Sequence, residues 1–313
     1  MYSRPAFLFH PHLETIYPSL LRKVNLIPYE RERISTSDQD FLDLDWLKQG
    51  SSKLVIISHG LEGNSSRTYV RGMARAFFQQ GFDILTWNYR GCGEEMNKCL
   101  RFYHSGATDD LDHVVQHANK NTYSDISLIG FSLGGNLTLK YLGEKGKQLS
   151  TTVKKAVVFS VPMDLHASCL KISSPSNWIY SNWFLKSLKL KIVQKSKLLP
   201  ELSSHGIDSI NTLFEFDDKF TAPIHGFKNA IDYYTQNSSV HFLKDIAVPT
   251  LIISAKNDPF LSKECFPVND EIQNPNLKTN YPEFGGHVGF ALFNQNGLYW
   301  SELRALEFIQ GHL

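Results

Sequence analysis

Gly130-Phe131-Ser132-Leu133-Gly134 is a G-x-S-x-G pentapeptide, a spacing that can present a serine hydroxyl for nucleophilic attack. Its flanks suit that chemistry. Residues 126–129 read as a buried strand before it, and residues 133–145 as a helix after it. A serine on so tight a strand-to-helix turn needs small neighbours two residues away on each side. The turn lifts Oγ above the sheet and leaves the Leu133 amide at a helix N-terminus, where it can donate to a developing oxyanion.

A serine hydroxyl attacks well only with a base beside it, and the base needs a carboxylate to orient it. On this kind of turn the chain order is serine, acid, histidine. Asp258 closely follows the apolar run 250–254, and acids at the carboxyl ends of parallel strands point into a site. His287 lies in Phe284-Gly-Gly-His-Val-Gly-Phe290, whose glycines let a loop fold an imidazole back over the serine. Rival acids are Asp217, Asp218 and Asp270, and all three read as solvated loop residues. The second oxyanion donor is expected after the run 53–58, in Ser58-His59-Gly60-Leu61-Glu62-Gly63. There the Leu61 amide is the candidate, and the His59 ring reads as structural.

The elements that must position these groups alternate. Strands are expected at 30–36, 41–47, 53–58, 82–87, 126–129, 156–161, 250–254 and 277–283. Helices are expected at 67–80, 107–120, 133–145 and 298–311. This rhythm predicts βαβ units and an α/β fold with a mostly parallel central sheet flanked by helices. Residues 1–28, punctuated by Pro5, Pro11, Pro18 and Pro28, read as irregular. The rhythm breaks at Pro162. Residues 163–244 read as a helical cap insertion, with helices at 178–199, 205–215 and 223–236. The core is then 1–162 and 245–313.

Composition narrows the function. Of 313 residues, 42% are hydrophobic and 20% charged, and the formal charge is +1, which argues against a disordered chain or a protein that coats nucleic acid. No signal peptide and no apolar run long enough to span a bilayer is read. Cys92, Cys99, Cys169 and Cys265 form no C-x-x-C pair, so a metal site is not expected and free thiols in a reducing cytoplasm are.

Several segments together resemble a known family. They are His12-Leu-Glu-Thr-Ile16, His59-Gly-Leu-Glu-Gly63, Asn88-Tyr-Arg-Gly-Cys-Gly93, Tyr103-His-Ser-Gly-Ala-Thr-Asp109, Gly130-Phe-Ser-Leu-Gly-Gly135, Phe216-Asp-Asp, Thr221-Ala-Pro-Ile-His-Gly-Phe227 and Gly285-Gly-His-Val-Gly-Phe290. Across nearly the whole chain the sequence resembles the YheT-like family of predicted esterases, on the α/β-hydrolase fold. The resemblance implies a serine hydrolase acting on carboxylic esters without metal or organic cofactor, with Ser132, Asp258 and His287 on the triad positions. Eukaryotic relatives often carry an N-terminal membrane anchor; none is read here, which implies a soluble, bacterial-type member. Glu14 departs from the glutamine expected in many relatives, and its distance from the triad motifs gives it no expected mechanistic weight.

Two weaker signals remain. His104 and Asp109 fit an H-x4-D pattern seen in some acyltransferases, while Asp109 and Asp110 read better as first-turn acids of a helix. Between Leu165 and Pro200 stand Lys171, Lys186, Lys189, Lys191, Lys195 and Lys197 with no acid, interleaved with Trp178, Tyr180, Trp183 and Phe184. The segment 171–197 reads first as an amphipathic cap helix with solvated lysines, and second as a weak membrane-surface contact. Trp183 and Phe184 are candidates for lining an acyl pocket. The expected activity is hydrolysis of short- to medium-chain acyl esters, through a Ser-His-Asp triad and an acyl-enzyme. The alternatives are an acyltransferase or phospholipid-directed lipase using the same nucleophile, and a non-catalytic binding module on the same fold.

Overall fold

The computed structural model describes residues 2–25, 28–121, 123–268 and 272–312; Asp270, one of the rival acids, lies outside them. Eight strands form one sheet in the order β1-β2-β4-β3-β5-β6-β7-β8. They are β1 (Glu30–Ser35), β2 (Phe41–Leu47), β3 (Lys53–Ser58), β4 (Asp83–Asn88), β5 (Asp125–Phe131), β6 (Val153–Phe159), β7 (Thr250–Ile253) and β8 (Leu277–Asn280). β1 and β2 run antiparallel at one edge, and the remaining strands run parallel.

Side-chain alternation builds the core. In β3, Leu54 and Ile56 enter one buried cluster, while Val55 and Ile57 enter another on the opposite face. Both faces are covered by helices: α2 (Thr68–Phe78), α3 (Thr108–Asn119), α4 (Leu133–Lys145) and, near the C-terminus, α10 (Trp300–Ile309). Two-sided burial explains why the central strands are continuous apolar runs. The edge strand β1 is polar instead. Its Arg31 and Arg33 stand opposite Asp45 and Asp43 and pair with them across the strands.

Register brings the candidate residues to one end of the sheet. Ser58 aligns with Gly130, Phe131 with Phe159, and Phe159 with Ile253. The loops after β3, β5, β7 and β8, which carry Leu61, Ser132, Asp258 and His287, therefore leave from the same carboxyl edge.

The chain departs from the sequence expectation in three places. Residues 11–21 form a helix, α1 (Pro11–Leu21), rather than an irregular segment. Pro11 occupies the first helical turn, where its missing N–H is no loss, and the His10 side chain accepts the His12 amide. Pro18 sits inside α1 and leaves the Glu14 carbonyl without its helical donor. Second, the expected helix at 205–215 reduces to α7 (Leu213–Phe216), followed by a π-helical turn, Asp217–Thr221. Third, 223–236 splits into α8 (Ala222–Ile224) and α9 (Ala230–Asn237). With α5 (Leu165–Ile172) and α6 (Trp178–Ser196), these elements share a separate apolar cluster that includes Leu185, Ile192, Phe216 and Tyr234.

Much of Asn88-Tyr-Arg-Gly-Cys-Gly93 proves to be scaffolding. The Arg90 guanidinium is buried and donates to Asp110, Asp40 and Asp38. It ties the loop after β4 to the β1–β2 turn and to the first turn of α3. Removing one partner of a buried ionic cluster strands the others without compensation. Arg90→Leu should therefore destabilise the fold by about 3–5 kcal/mol. Urea unfolding followed by circular dichroism checks this, and an unshifted midpoint would contradict it.

Candidate active site

Ser132 links β5 to α4 with φ 52° and ψ −119°, a left-handed conformation that costs an L-residue energy and holds it on a sharp turn. Its amide donates to Phe159 O at 2.8 Å, which ties the turn to β6. The flanking glycines are steric necessities. A Cβ on Gly130 would lie 2.4 Å from Gly134 O, and one on Gly134 would lie 2.5 Å from the carbonyl oxygens of Ser58 and His59. The turn is thus pressed directly against the loop that carries Leu61.

His287 Nε2 lies 3.0 Å from Ser132 Oγ. On the other side of the ring, Nδ1 lies 2.9 Å and 3.1 Å from the two Asp258 carboxylate oxygens. Asp258 is buried, and its Oδ1 also accepts the Phe260 amide at 2.9 Å. The Phe260 ring packs on the imidazole with centroids 4.2 Å apart. This arrangement can take a proton from Ser132 on one nitrogen and hold the resulting imidazolium with the carboxylate on the other.

The loop after β3 engages the amides on either side of Leu61. Gly60 N donates to Tyr69 OH, Glu62 N to Tyr103 OH and Gly63 N to Gly60 O, each at 3.0 Å. Among the described residues the Leu61 amide has no protein acceptor. The Leu133 amide opens α4, where helix geometry provides no acceptor. His59 holds this loop in place. Its Nδ1 bonds Gly60 O at 2.8 Å and its Nε2 accepts the Tyr89 amide at 3.3 Å. Burial pushes this imidazole down to about 3, so it stays neutral.

Residues 49–265 match the Hydrolase_4 family (Serine aminopeptidase, S33). The chain is 35% identical over 289 residues to "Putative esterase YheT" of Escherichia coli (strain K12), covering 89% of this chain and 84% of that one. The chain belongs to the YheT-like family of α/β hydrolases. It is also 29% identical to "Phospholipase ABHD3" of Bos taurus, over 88% of this chain and 70% of that one. Among solved structures, the Pyrococcus furiosus esterase PF2001 superposes with a TM-score of 0.60 at 19% identity, over 90% and 91% of the two chains, a likeness of fold.

In this YheT-like chain two cavities meet at Ser132. An inner one of about 140 Å³ runs beneath α5, α6, α7 and α9, and an outer groove of about 490 Å³ runs between α1 and α6. Both are lined by Leu61, Ser132, Phe184, Phe260 and His287. Phe184 therefore touches both chambers, whereas Trp183 lines the outer groove alone. The H-x4-D residues part company. His104 lines the inner cavity, while Asp109 pairs with Arg101.

Three readings of the sequence need correction. Asp217 is not a solvated loop acid but lines the inner cavity, whereas Asp218 caps the start of α9 by accepting the Ala230 amide. Of the lysines read as solvated on α6, Lys195 is fully buried and Lys191 pairs with buried Glu62 at 2.7 Å. Burial pulls the Lys195 ammonium down to about 8.

The third concerns Glu14, which is not remote. The α1 segment Glu14-Thr15 grips both loops of the histidine–aspartate pair. Thr15 Oγ1 accepts the His287 amide at 3.0 Å. The buried Glu14 carboxylate accepts from the Asn257 side chain and from the Gly285 amide, while Asn257 Oδ1 accepts the Gly286 amide at 3.1 Å. Gly289 packs against the Glu14 carbonyl so closely that a Cβ there would lie 2.2 Å from the oxygen. That is the carbonyl freed by Pro18. The sequence held a signal for this contact, since His12–Ile16 is one of the family segments, but chain distance from the triad hid it. Thr15→Val and Glu14→Leu should lower kcat about 10- to 100-fold with KM nearly unchanged, because both displace an intact imidazole. Glu14→Gln, which keeps the accepting oxygen, should restore most of the rate. Steady-state kinetics on one ester checks all three variants, and equal rates would contradict the clamp.

Proposed function

We propose that this protein is a serine esterase that cleaves short- to medium-chain acyl esters through an acyl-enzyme on Ser132. The observation that carries the reading is the unbroken hydrogen-bonded series Ser132–His287–Asp258 at the junction of two cavities. In the proposed cycle His287 takes the Ser132 proton as Oγ attacks the ester carbonyl. The Leu61 and Leu133 amides hold the oxyanion, each worth about 10²–10³ in rate. His287 then protonates the leaving alcohol, and the same imidazole activates the water that releases the acid. Residues 163–244 serve as a cap over a core of 1–162 and 245–313, with Trp183 and Phe184 against the acyl chain. No organic cofactor or metal takes part in this scheme. The proposed setting is the cytoplasm, where the four free thiols stay reduced.

An acyltransferase built on His104 and Asp109 has little support, because Asp109 is engaged with Arg101. A phospholipid-directed lipase has more. The outer groove is lined by the exposed apolar side chains Ile179 (68%) and, from α1, Leu20 (73%), and Trp178 (65%) is exposed next to Ile179 in the chain. Lys171, Lys186 and Lys197 are exposed on the same segment of chain as the tryptophan. Such a rim suits an anionic lipid surface. Among the described residues no helix is long and apolar enough to cross a membrane.

A fluorophosphonate probe should label Ser132 rapidly. Labelling should collapse in His287→Ala, and peptide mass spectrometry locates the adduct. No labelling of folded wild-type protein would overturn the esterase reading. Ser132→Ala should co-sediment with phosphatidylglycerol vesicles more than with phosphatidylcholine vesicles. Trp178→Ser combined with Ile179→Ser should abolish the difference, and equal sedimentation of all samples would remove the lipid-surface reading.

A further inference from the structure

The two chambers at Ser132 differ in chemistry. The outer groove is lined mainly by apolar side chains such as Ile16, Pro18, Ile179 and Trp183, with Arg22, Arg67 and Glu302 among them. The inner cavity sets an acid, Asp217, together with His104, Thr221 and three tyrosines, Tyr103, Tyr233 and Tyr234, among apolar side chains. An ester substrate also has two unlike halves, one on each side of the reacting carbonyl.

Asp217 is a half-buried acid in a cavity lined mainly by apolar side chains. It opens the π-helical turn Asp217–Thr221, an irregular winding that recurs at functional sites. Thr221 donates to its Oδ1 at 2.6 Å and Tyr234 to its Oδ2 at 2.7 Å. Those bonds hold the carboxyl group in one orientation. They use only two of its roughly four acceptor positions. Among the described residues no cation pairs with it. Burial pushes the carboxyl up to about 6, against the pull of the two hydrogen bonds. The Ser132 reaction as proposed makes no use of it.

A donor faces the same space. His104 Nδ1 accepts the Gly106 amide at 3.1 Å, which leaves the proton of a neutral ring on Nε2. Burial and the neighbouring His225 ring, 4.6 Å away, hold His104 well below the ordinary histidine range, so the ring is neutral. Among the described residues His104 Nε2 makes no hydrogen bond to protein. The cavity that Ser132 lines thus offers a fixed acceptor and a spare donor, the two kinds of group that a hydroxyl can satisfy.

We propose that the inner cavity binds the alcohol half of the substrate and selects for a free hydroxyl on it, as in a monoester of a polyol, with the Asp217 carboxylate accepting a hydrogen bond from that hydroxyl. The acyl chain then lies in the outer apolar groove. A half-buried carboxylate that a bound substrate covers discriminates against an analogue without a hydroxyl, because the analogue leaves the covered carboxylate unpaired. Asp217 here is a specificity-determining residue, and the assignment rests on the esterase reading of Ser132.

The test compares 1-octanoylglycerol with ethyl octanoate, which share an acyl chain and differ in the hydroxyls. The readout is the ratio of kcat/KM for the two esters in wild type, Asp217→Leu and Asp217→Asn, with fluorophosphonate labelling of Ser132 measured on each. In Asp217→Leu the ratio should fall about 10- to 100-fold. Labelling and the ethyl-ester rate should stay close to wild type. Asp217→Asn, which keeps one acceptor oxygen, should move the ratio the same way by less, and it carries the test if the leucine variant does not fold. An unmoved ratio, or an equal loss on both esters with labelling intact, would overturn the assignment while leaving the esterase reading in place. Wild-type protein that neither labels nor cleaves would overturn both.

Discussion

The 3.0 Å contact between His287 Nε2 and Ser132 Oγ joins residues 155 positions apart, and it is the constraint on which the rest of the site depends. A hydrogen bond of that length tolerates little misplacement. Three loops from three strands must converge on it within a fraction of an ångström. The parallel sheet supplies the first approximation, because its register delivers β3, β5, β6 and β7 to a common edge. Close contacts supply the rest. Gly130 and Gly134 lock the serine turn onto the sheet and onto the neighbouring loop, while α1 fixes the histidine loop from outside. The strain stored at Ser132 is tolerable only because the surrounding packing leaves it no alternative.

The parts legible in the sequence were those governed by local pattern. Buried strands such as β3 announce themselves as apolar runs, and the serine turn as glycines at fixed offsets. Groups whose role depends on distant contacts were not legible. Proline spacing made residues 1–28 look irregular, although Pro11 opens α1 and Pro18 creates a free carbonyl inside it. Glu14 lies 271 positions from Gly285, so only the fold reveals that it supports the histidine loop. Asp217 looked like a solvated acid because no local pattern separates a carboxylate that faces a cavity from one that faces bulk water. The same holds for Lys195, which donates to Asn97 and to the Arg101 carbonyl from within an otherwise basic helix.

These buried polar contacts also explain how α6 is held over the site. Glu62 neighbours the free Leu61 amide, and its carboxylate accepts from Tyr103, from Lys191 and from Ser187. The helix above the site is therefore pinned to the loop that carries one expected oxyanion donor. Partly buried charge networks of this kind are costly to leave unsatisfied, which favours one geometry over its neighbours. Trp183 and Phe184 stand on the same helix, so the wall of the groove and the loop beside the nucleophile are coupled through Glu62.

The most direct test of this account is detection of the acyl-enzyme itself. Protein mixed with p-nitrophenyl octanoate should release a burst of nitrophenol equal to the enzyme concentration. Acid-quenched samples should carry the octanoyl mass on the Ser132 peptide. A linear release with no adduct on that peptide, or an adduct on a different residue, would contradict a mechanism built on Ser132 and His287.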